Sequence, residues 1–250
     1  MRSVTSNKQV FAVLLIVPIV LTIALPSIFV FVTSFAPDAA SDFRKLLDML
    51  PAPNGEYSQQ QQIFSLILNQ IMPSFFLIIP IMASSVMAAS SFVGEKEKHT
   101  LETLLYSPLS LGQLFQSKIL AGFSVGMMIS YSSFAAMLLV MELEVFFLTG
   151  NLLLPAASWL AIMLLIAPAI SLVAIAVTVR SSAKAQTIEE AQQRAVFLIF
   201  PILALLIGQF TGIILISAGL LWGVGIVLAA LAILLVKGAA GNFTYEKLLK

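Results

Sequence analysis

Long stretches without a charged side chain constrain the fold of this chain more than any other feature. No Asp, Glu, Lys or Arg occurs in residues 9–37, 57–94, 119–141, 145–179 and 195–236. A transmembrane helix needs about 20 consecutive apolar residues. Hydrophobic residues make up 60% of the chain and charged residues 10%, whereas a soluble domain is roughly a quarter charged. The sequence therefore predicts an all-α integral membrane protein.

The uncharged stretches predict six transmembrane helices in a single membrane domain over residues 1–250. The last stretch is long enough for two helices joined by a tight turn, and each of the others supplies one. Residues 37–62 are polar and predict an outer loop, and residues 94–118 form a charged segment. The predicted spans are residues 10–35, 63–93, 119–141, 152–179, 195–212 and 216–236.

The basic residues predict the orientation of these helices. Six spans put both termini on one side of the membrane, which we assign to the cytoplasm. Of the 13 Lys and Arg residues, only Arg44 and Lys45 then lie outside. Cytoplasmic loops carry an excess of Lys and Arg, so this bias supports the six-helix count and places both termini and the charged segment in the cytoplasm.

The charged segment at residues 94–118 predicts two short helices joined at a proline. Leu101, Leu104 and Leu105 have the spacing that places side chains on one face of a helix. Pro108 ends this helix, because the residue before a proline avoids helical backbone angles. The result is a helix–proline–helix elbow at the cytoplasmic membrane surface.

Polar residues at the two helix starts support the elbow. Glu95 and Glu97 lie at or before the first turn, where the helix dipole favours negative charge. Ser110 and Gln113 match a capping box for the second helix. Two interpretations stay open from this pattern. The elbow is either an amphipathic connector with its leucines among the lipid headgroups, or a helix that docks into a groove of another protein.

The same segment resembles a known family. It is similar to the signature loop of type-2 ATP-binding-cassette (ABC) transporter permeases, in particular of the sodium-exporter-like bacterial and archaeal branch. The residues that carry the similarity are Gly94-Glu95-Lys96-Glu97, Thr100-Leu101-Glu102, Leu104-Leu105 and Ser107-Pro108, followed by Leu114 and Lys118. A second likeness lies at residues 185–193, which read AQTIEEAQQ. Chain length and predicted topology also match, so the resemblance covers most of the chain.

The resemblance implies the type-2 ABC exporter permease fold in a multi-pass protein of the prokaryotic plasma membrane. Two permease subunits, identical or different, would pair with two cytoplasmic ATPase subunits, which would bind ATP and Mg²⁺. No catalytic residue, cofactor or metal is expected in this chain itself. The elbow would be the coupling helix, gripped by the ATPase through Glu95, Glu97, Thr100, Leu101, Glu102, Leu104, Leu105 and Pro108.

Other functional classes fit the sequence less well. The chain contains no Gly-x-x-x-x-Gly-Lys-Ser/Thr loop for ATP phosphates, no cysteine and no basic patch for nucleic acid. With His99 as the only histidine, a His-Glu-x-x-His zinc protease is excluded. A secondary, ion-coupled transporter would keep ionisable residues deep in the membrane. Only Glu142 and Glu144 are candidates, and we interpret them as a solvated pair at the outer end of span three. A non-transporting immunity or scaffold protein is the remaining alternative.

Small and polar residues inside the spans are candidates for a translocation path or a seam between two permease subunits. Glycine pairs at 122/126, 208/212 and 219/223 predict close helix contacts, for which packing within one subunit is the favoured interpretation. Pro73 and Pro80 predict kinks in span two. The substrate cannot be inferred from these residues. The best candidates in span three are Ser124, Ser130, Tyr131, Ser132 and Ser133.

Overall fold

The computed structural model describes residues 8–35, 58–97, 111–182, 185, 187–210 and 217–241 as a helical bundle without strands. Within this part of the chain, five helices are long and apolar enough to cross a membrane. They correspond to predicted spans one, two, three, four and six, which confirms the all-α membrane class. Their bounds are Leu14–Phe35, Gln59–Gly94, Gly112–Thr149, Ser158–Ser182 and Gly219–Ala239.

Span one is a continuous helix with one π turn near its middle. It consists of α1 (Lys8–Ile19), a π turn (Val20–Ala24) and α2 (Leu25–Phe35). Pro26 has no N–H to donate to the carbonyl of the residue four positions earlier. The helix therefore loses one regular hydrogen bond directly after the π turn.

Span two begins earlier than predicted and is divided into shorter helices. It consists of α3 (Gln59–Leu66), a π turn (Ile67–Ile71), α4 (Met72–Phe76) and α5 (Ile78–Glu97). Helix α3 starts at the end of the predicted outer loop because Ser58 forms a capping box with Gln61. The Ser58 N–H donates to Gln61 Oε1 at 2.9 Å, and the Gln61 N–H donates to Ser58 Oγ at 3.3 Å.

Span three is one uninterrupted helix, α6 (Leu111–Thr149). Its 39 residues correspond to a length of about 58 Å. This length exceeds the roughly 40–45 Å of a bilayer with its headgroups. The helix therefore extends beyond the predicted residues 119–141 at both ends.

Span four starts later than predicted. Span four consists of α7 (Ser158–Ala161), a π turn (Ile162–Ile166) and α8 (Ala167–Ser182). Residues 152–156 before it are not helical, and they include Pro155. A proline in this position disfavours helical geometry in the preceding residue.

The predicted fifth span, 195–212, is represented by two short helices, α9 (Ile188–Val196) and α10 (Ile199–Phe210). Pro201 has no N–H for the carbonyl of Phe197, which accepts from the Phe200 N–H instead, at 3.3 Å. Helix α10 has 12 residues, fewer than the about 20 of a complete span. The fifth span stays a prediction. Predicted span six is α11 (Ala218–Gly241).

Spans two and four form the interior of the bundle. In span two, 83% of the apolar window is buried, compared with 17% in span one and in α11. A glycine pair lets span three approach span two closely. A Cβ on Gly122 would lie 3.8 Å from the Ala88 backbone nitrogen, and a Cβ on Gly126 would lie 3.3 Å from Ser84 Cα. The predicted packing within one subunit is confirmed for this pair. It is wrong for Gly219 and Gly223, where nothing in the described chain lies within 4 Å of a Cβ, and Gly212 lies outside the described residues.

Candidate functional site

Residues 94–108, the predicted ATPase contact, lie in the sequence between spans two and three, on the side that the basic residues assign to the cytoplasm. Glu95 and Glu97 belong to the last turn of α5, as backbone positions. The rest of the predicted contact lies outside the described residues, namely Thr100, Leu101, Glu102, Leu104, Leu105 and Pro108. The structure describes the helices on either side of residues 98–110, namely the end of α5 and the start of α6.

An aromatic contact joins the two helices from which the 98–110 segment emerges. The rings of Phe92 in α5 and Phe115 in α6 are 5.8 Å apart, edge to face at 65°. The Lys118 ammonium lies 5.1 Å from the centroid of the Phe92 ring, a cation–π contact. The surrounding apolar cluster includes Val179 from span four and Ala239 from α11. Four membrane helices therefore meet at this contact.

Helix α9 packs against the same end of span two. Thr187 caps it by accepting from the Glu190 N–H at 3.3 Å. Its buried face includes Ile188, which reaches to 3.6 Å from the position of a Cβ on Gly94. The Ser181 hydroxyl of span four donates to the Ala191 carbonyl at 3.0 Å. Gly94, where the first region of sequence resemblance begins, therefore lies next to the second region at 185–193.

A comparison with family models agrees with this arrangement. The model described as "ABC-2 family transporter protein" matches residues 7–188, nearly three quarters of the chain. The chain belongs to this family. The matched range covers spans one to four, the 98–110 segment and the start of α9. No curated protein matches the chain.

The span-three residues predicted for the path of this ABC-2 permease do not share one surface. Ser130 and Ser133 are buried, and their hydroxyls donate to the carbonyls of Gly126 and Ile129, four residues earlier, at 2.8 and 2.7 Å. The other three, Ser124, Tyr131 and Ser132, are exposed along one face of α6. Tyr131 also donates its hydroxyl to the Met163 carbonyl in the π turn of span four, at 3.2 Å.

The two glutamates of span three lie near the end of α6 that is predicted to be outside, and both are half-buried rather than fully solvated. Glu144 lies 26 residues beyond Lys118, or about 39 Å along the helix, which exceeds the roughly 30 Å hydrocarbon core. Glu142 Oε2 accepts from the Leu153 N–H at 3.0 Å. The Glu144 carboxyl lies within hydrogen-bonding reach of Ser27 in span one, and its Oε2 is buried without a hydrogen bond in the described chain. The contact with Ser27 shows that span one lies against Glu144, which accounts for the partial burial of this carboxyl.

Sequence reasoning missed a junction at the π turn of span two. The Leu68 carbonyl accepts from the Trp159 indole N–H at 3.3 Å, and Asn69 Oδ1 accepts from the Ala156 N–H at 2.8 Å. The Trp159 ring also packs against Phe76 of span two and Phe134 of span three, with centroids 5.5 and 4.7 Å away. Spans two, three and four are joined at this level.

Helix α10 is bonded to the same π turn. The Gln209 amide donates to the Gln70 carbonyl at 2.9 Å and accepts from the Ser74 hydroxyl at 2.9 Å. In the sequence, Gln209 stands out only as a polar residue inside an apolar run. Its partners lie 139 and 135 residues away, so neither periodicity nor spacing identifies them. Isolated amides such as Asn69 and Gln209 within apolar stretches are the signal that could have located this junction.

Proposed function

We propose that this ABC-2 permease is the membrane subunit of an ATP-driven exporter and that residues 94–108 couple it to a separate cytoplasmic ATPase. The observation that supports this most is the anchoring of the 98–110 segment. Its two ends leave helices that are fixed to each other through Phe92 and Phe115. A force on the segment would therefore act on spans two and three together rather than on one of them.

The mechanism begins with closure of the ATPase dimer on ATP and Mg²⁺, which bind in the partner subunits. The elbow moves as a lever and tilts spans two and three, and a central path opens towards the outside. Two permease and two ATPase subunits make up the complex, in the plasma membrane of a prokaryote. Helix α9 packs against Gly94 and so stabilises the end of span two from which the elbow begins.

The exposed face of α6 is the proposed path lining or subunit seam. Its polar members are Ser124, Tyr131 and Ser132. Two of these hydroxyls also bond within the subunit, Tyr131 to the Met163 carbonyl and Ser132 to the Ile129 carbonyl at 2.9 Å. A hydroxyl that donates in this way keeps acceptor lone pairs, which on an exposed face are suited to water or to a second helix. Ser130 and Ser133 bond inside the subunit and contribute to helix packing.

Leu104→Arg tests the ATPase contact. We expect the variant to insert into the membrane normally and to lose ATPase association, because a charged side chain would replace an apolar anchor in the ATPase groove. Co-purification with the ATPase and ATP hydrolysis by the complex measure this. Gln116→Arg, at an exposed position of α6, adds the same charge outside the contact and should keep the ATPase. Normal association of the Leu104→Arg variant would refute the proposal.

An ion-coupled transporter is the second candidate, and the buried oxygen of Glu144 is the observation that favours it. In that case purified permease without any ATPase should carry protons into liposomes down an imposed pH gradient. A pH-sensitive dye inside the liposomes measures this flux. Glu144→Gln should abolish it. A flux that is absent, or that is equal in both proteins, would reject the ion-coupled mechanism.

A further inference from the structure

Span two contains a weak point at Pro73, in addition to the break at Leu77 that precedes Pro80. The π turn Ile67–Ile71 lies directly before this proline. Pro73 has no N–H to donate to the carbonyl of Asn69, and a π turn displaces the regular i→i−4 bonds. A force applied at the cytoplasmic end of α5 can therefore bend span two at Pro73, with Leu77 and Pro80 as a second place of bending.

Gln209 bonds to span two on both sides of this weak point. Its Nε2 donates to the carbonyl of Gln70, before the proline, and its Oε1 accepts from the hydroxyl of Ser74, after the proline. Gln209 is 5% exposed and Ser74 is 1% exposed, so water does not compete for these bonds. One amide therefore connects the two halves of the kink.

The same residue fixes the outer end of α10. This helix has one buried face, formed by Ile202, Leu206 and Gln209 at spacings of four and three residues. Its other side is open, with Leu203 42% and Ile207 66% exposed. Gln209 is the last of the three inward side chains, so its hydrogen bonds determine where the outer end of α10 lies.

We infer that Gln209 is a positioning residue for transport, which staples span two across Pro73 and ties the outer end of α10 to that kink. Bending of span two then displaces α10 with it. The inference rests on the proposed function, because the bending force comes from the ATPase. The hydrogen-bonded staple itself is a property of the permease alone and can be tested without the partner.

The first experiment measures the staple in the isolated permease. The chain has no cysteine, so two introduced cysteines carry spin labels at defined positions. We choose Gln59→Cys at the start of α3 and Ile207→Cys on α10, both at exposed residues. The distance distribution between the labels is measured in lipid nanodiscs by double electron–electron resonance.

One narrow distribution is expected for the labelled parent protein. A membrane hydrogen bond changes a two-state population about threefold. Ser74→Ala should therefore raise the detached population roughly threefold, and Gln209→Leu, which removes both bonds, roughly sevenfold. Gln193→Leu makes the same change at an exposed position of α9 and should leave the distribution unchanged. An unchanged distance distribution in Gln209→Leu would overturn the inference. If Gln209→Leu does not insert into the membrane, an unchanged distribution in Ser74→Ala would overturn it.

The second experiment separates positioning from stability. In the permease–ATPase complex, a non-hydrolysable ATP analogue with Mg²⁺ should shift the distance between the labels. We expect Gln209→Leu to keep ATPase association and ATP hydrolysis but to lose this shift. A residue that only stabilises the fold would leave the shift intact. A shift that is retained in Gln209→Leu contradicts the inference. If the parent protein binds no ATPase, the proposed function is contradicted instead. The first experiment alone then decides whether Gln209 holds span two and α10 together.

Discussion

At the scale of single residues, Ser84 and Gly126 make a tight contact between spans two and three. The Ser84 side chain is fully buried, and its hydroxyl makes no hydrogen bond in the described chain. A Cβ on Gly126 would collide with that hydroxyl. In a membrane, close helix contacts of this kind stabilise a bundle through dispersion rather than through the hydrophobic effect.

Gly126→Ala should therefore destabilise the permease, whereas Gly122→Ala should not. Overpacking costs about 1–3 kcal/mol, and the nearest atoms to a Cβ at Gly122 are at an ordinary 3.8 Å. Thermal unfolding in detergent, followed by size-exclusion chromatography with fluorescence detection, measures both variants. Equal stability of the two variants would show that the crossing is not tight.

Ser84→Ala provides the complementary test of this contact. Removing an unpartnered buried hydroxyl should be neutral or stabilise the protein by about 1 kcal/mol. In the Gly126→Ala background it should restore part of the lost stability, because the collision with the hydroxyl disappears while the Ser84 Cβ remains at 3.3 Å. Additive effects of the two changes in the same unfolding assay would argue against direct contact.

The sequence predicts some of these contacts and not others. The Gly122/Gly126 pair is visible as small residues four apart, and it predicts a close crossing. It does not identify Ser84 as the partner, because every span contains small residues. The bond between Ser74 and Gln209 connects residues 135 positions apart, and no local pattern encodes such a distance.

At the scale of elements, the contact between α5 and α6 joins the helices on either side of the 98–110 segment, which is proposed to couple to the ATPase. Phe92 is 7% exposed and packs on Phe115, whereas Phe147, at the far end of α6, is 83% exposed. Phe92→Ala should cost stability towards the lower end of about 3–5 kcal/mol and weaken ATPase co-purification. Phe147→Ala should change neither quantity. If Phe92→Ala loses stability but still co-purifies with the ATPase as the parent does, the contact between Phe92 and Phe115 has no role in ATPase binding.

Element boundaries follow from prolines and caps, and these can be read from the sequence. Ser58 and Gln61 start α3, Pro155 precedes span four, and Pro201 accounts for the break before α10. The three π turns could not be predicted. Residues such as VLTIA at 20–24 suit an α-helix equally well, and only the packing of neighbouring helices determines where the extra residue is placed.

At the scale of the whole molecule, hydropathy predicts the helices but not their arrangement. All spans are apolar on every side, so burial cannot be assigned from periodicity. Spans two and four occupy the interior, while span one, span three and α11 expose most of their surface. Two polar side chains of span two bond to other parts of the bundle, Asn69 to the segment before span four and Ser74 to α10, which is consistent with the central position of this span.

The predicted topology can be tested with single cysteines in this cysteine-free chain. Asn151→Cys, in the exposed turn after α6, should react with a membrane-impermeant maleimide on intact cells. Ser117→Cys, exposed near the other end of α6, should react only after the membrane is permeabilised. The reverse labelling pattern would invert the orientation and place the coupling segment outside the cell.

The most direct test of the account is a cross-link between residues 94–108 and the ATPase. Leu105→Cys supplies the one thiol of the permease, and Asn151→Cys serves as the control on the opposite side of the membrane. A short thiol-to-amine cross-linker is applied to the purified complex, and the products are identified by mass spectrometry. The account predicts an adduct between the ATPase and Leu105→Cys, with a yield that changes when ATP is added, and none from Asn151→Cys. A transporting complex that gives no adduct from Leu105→Cys, or that contains no ATPase, would contradict it.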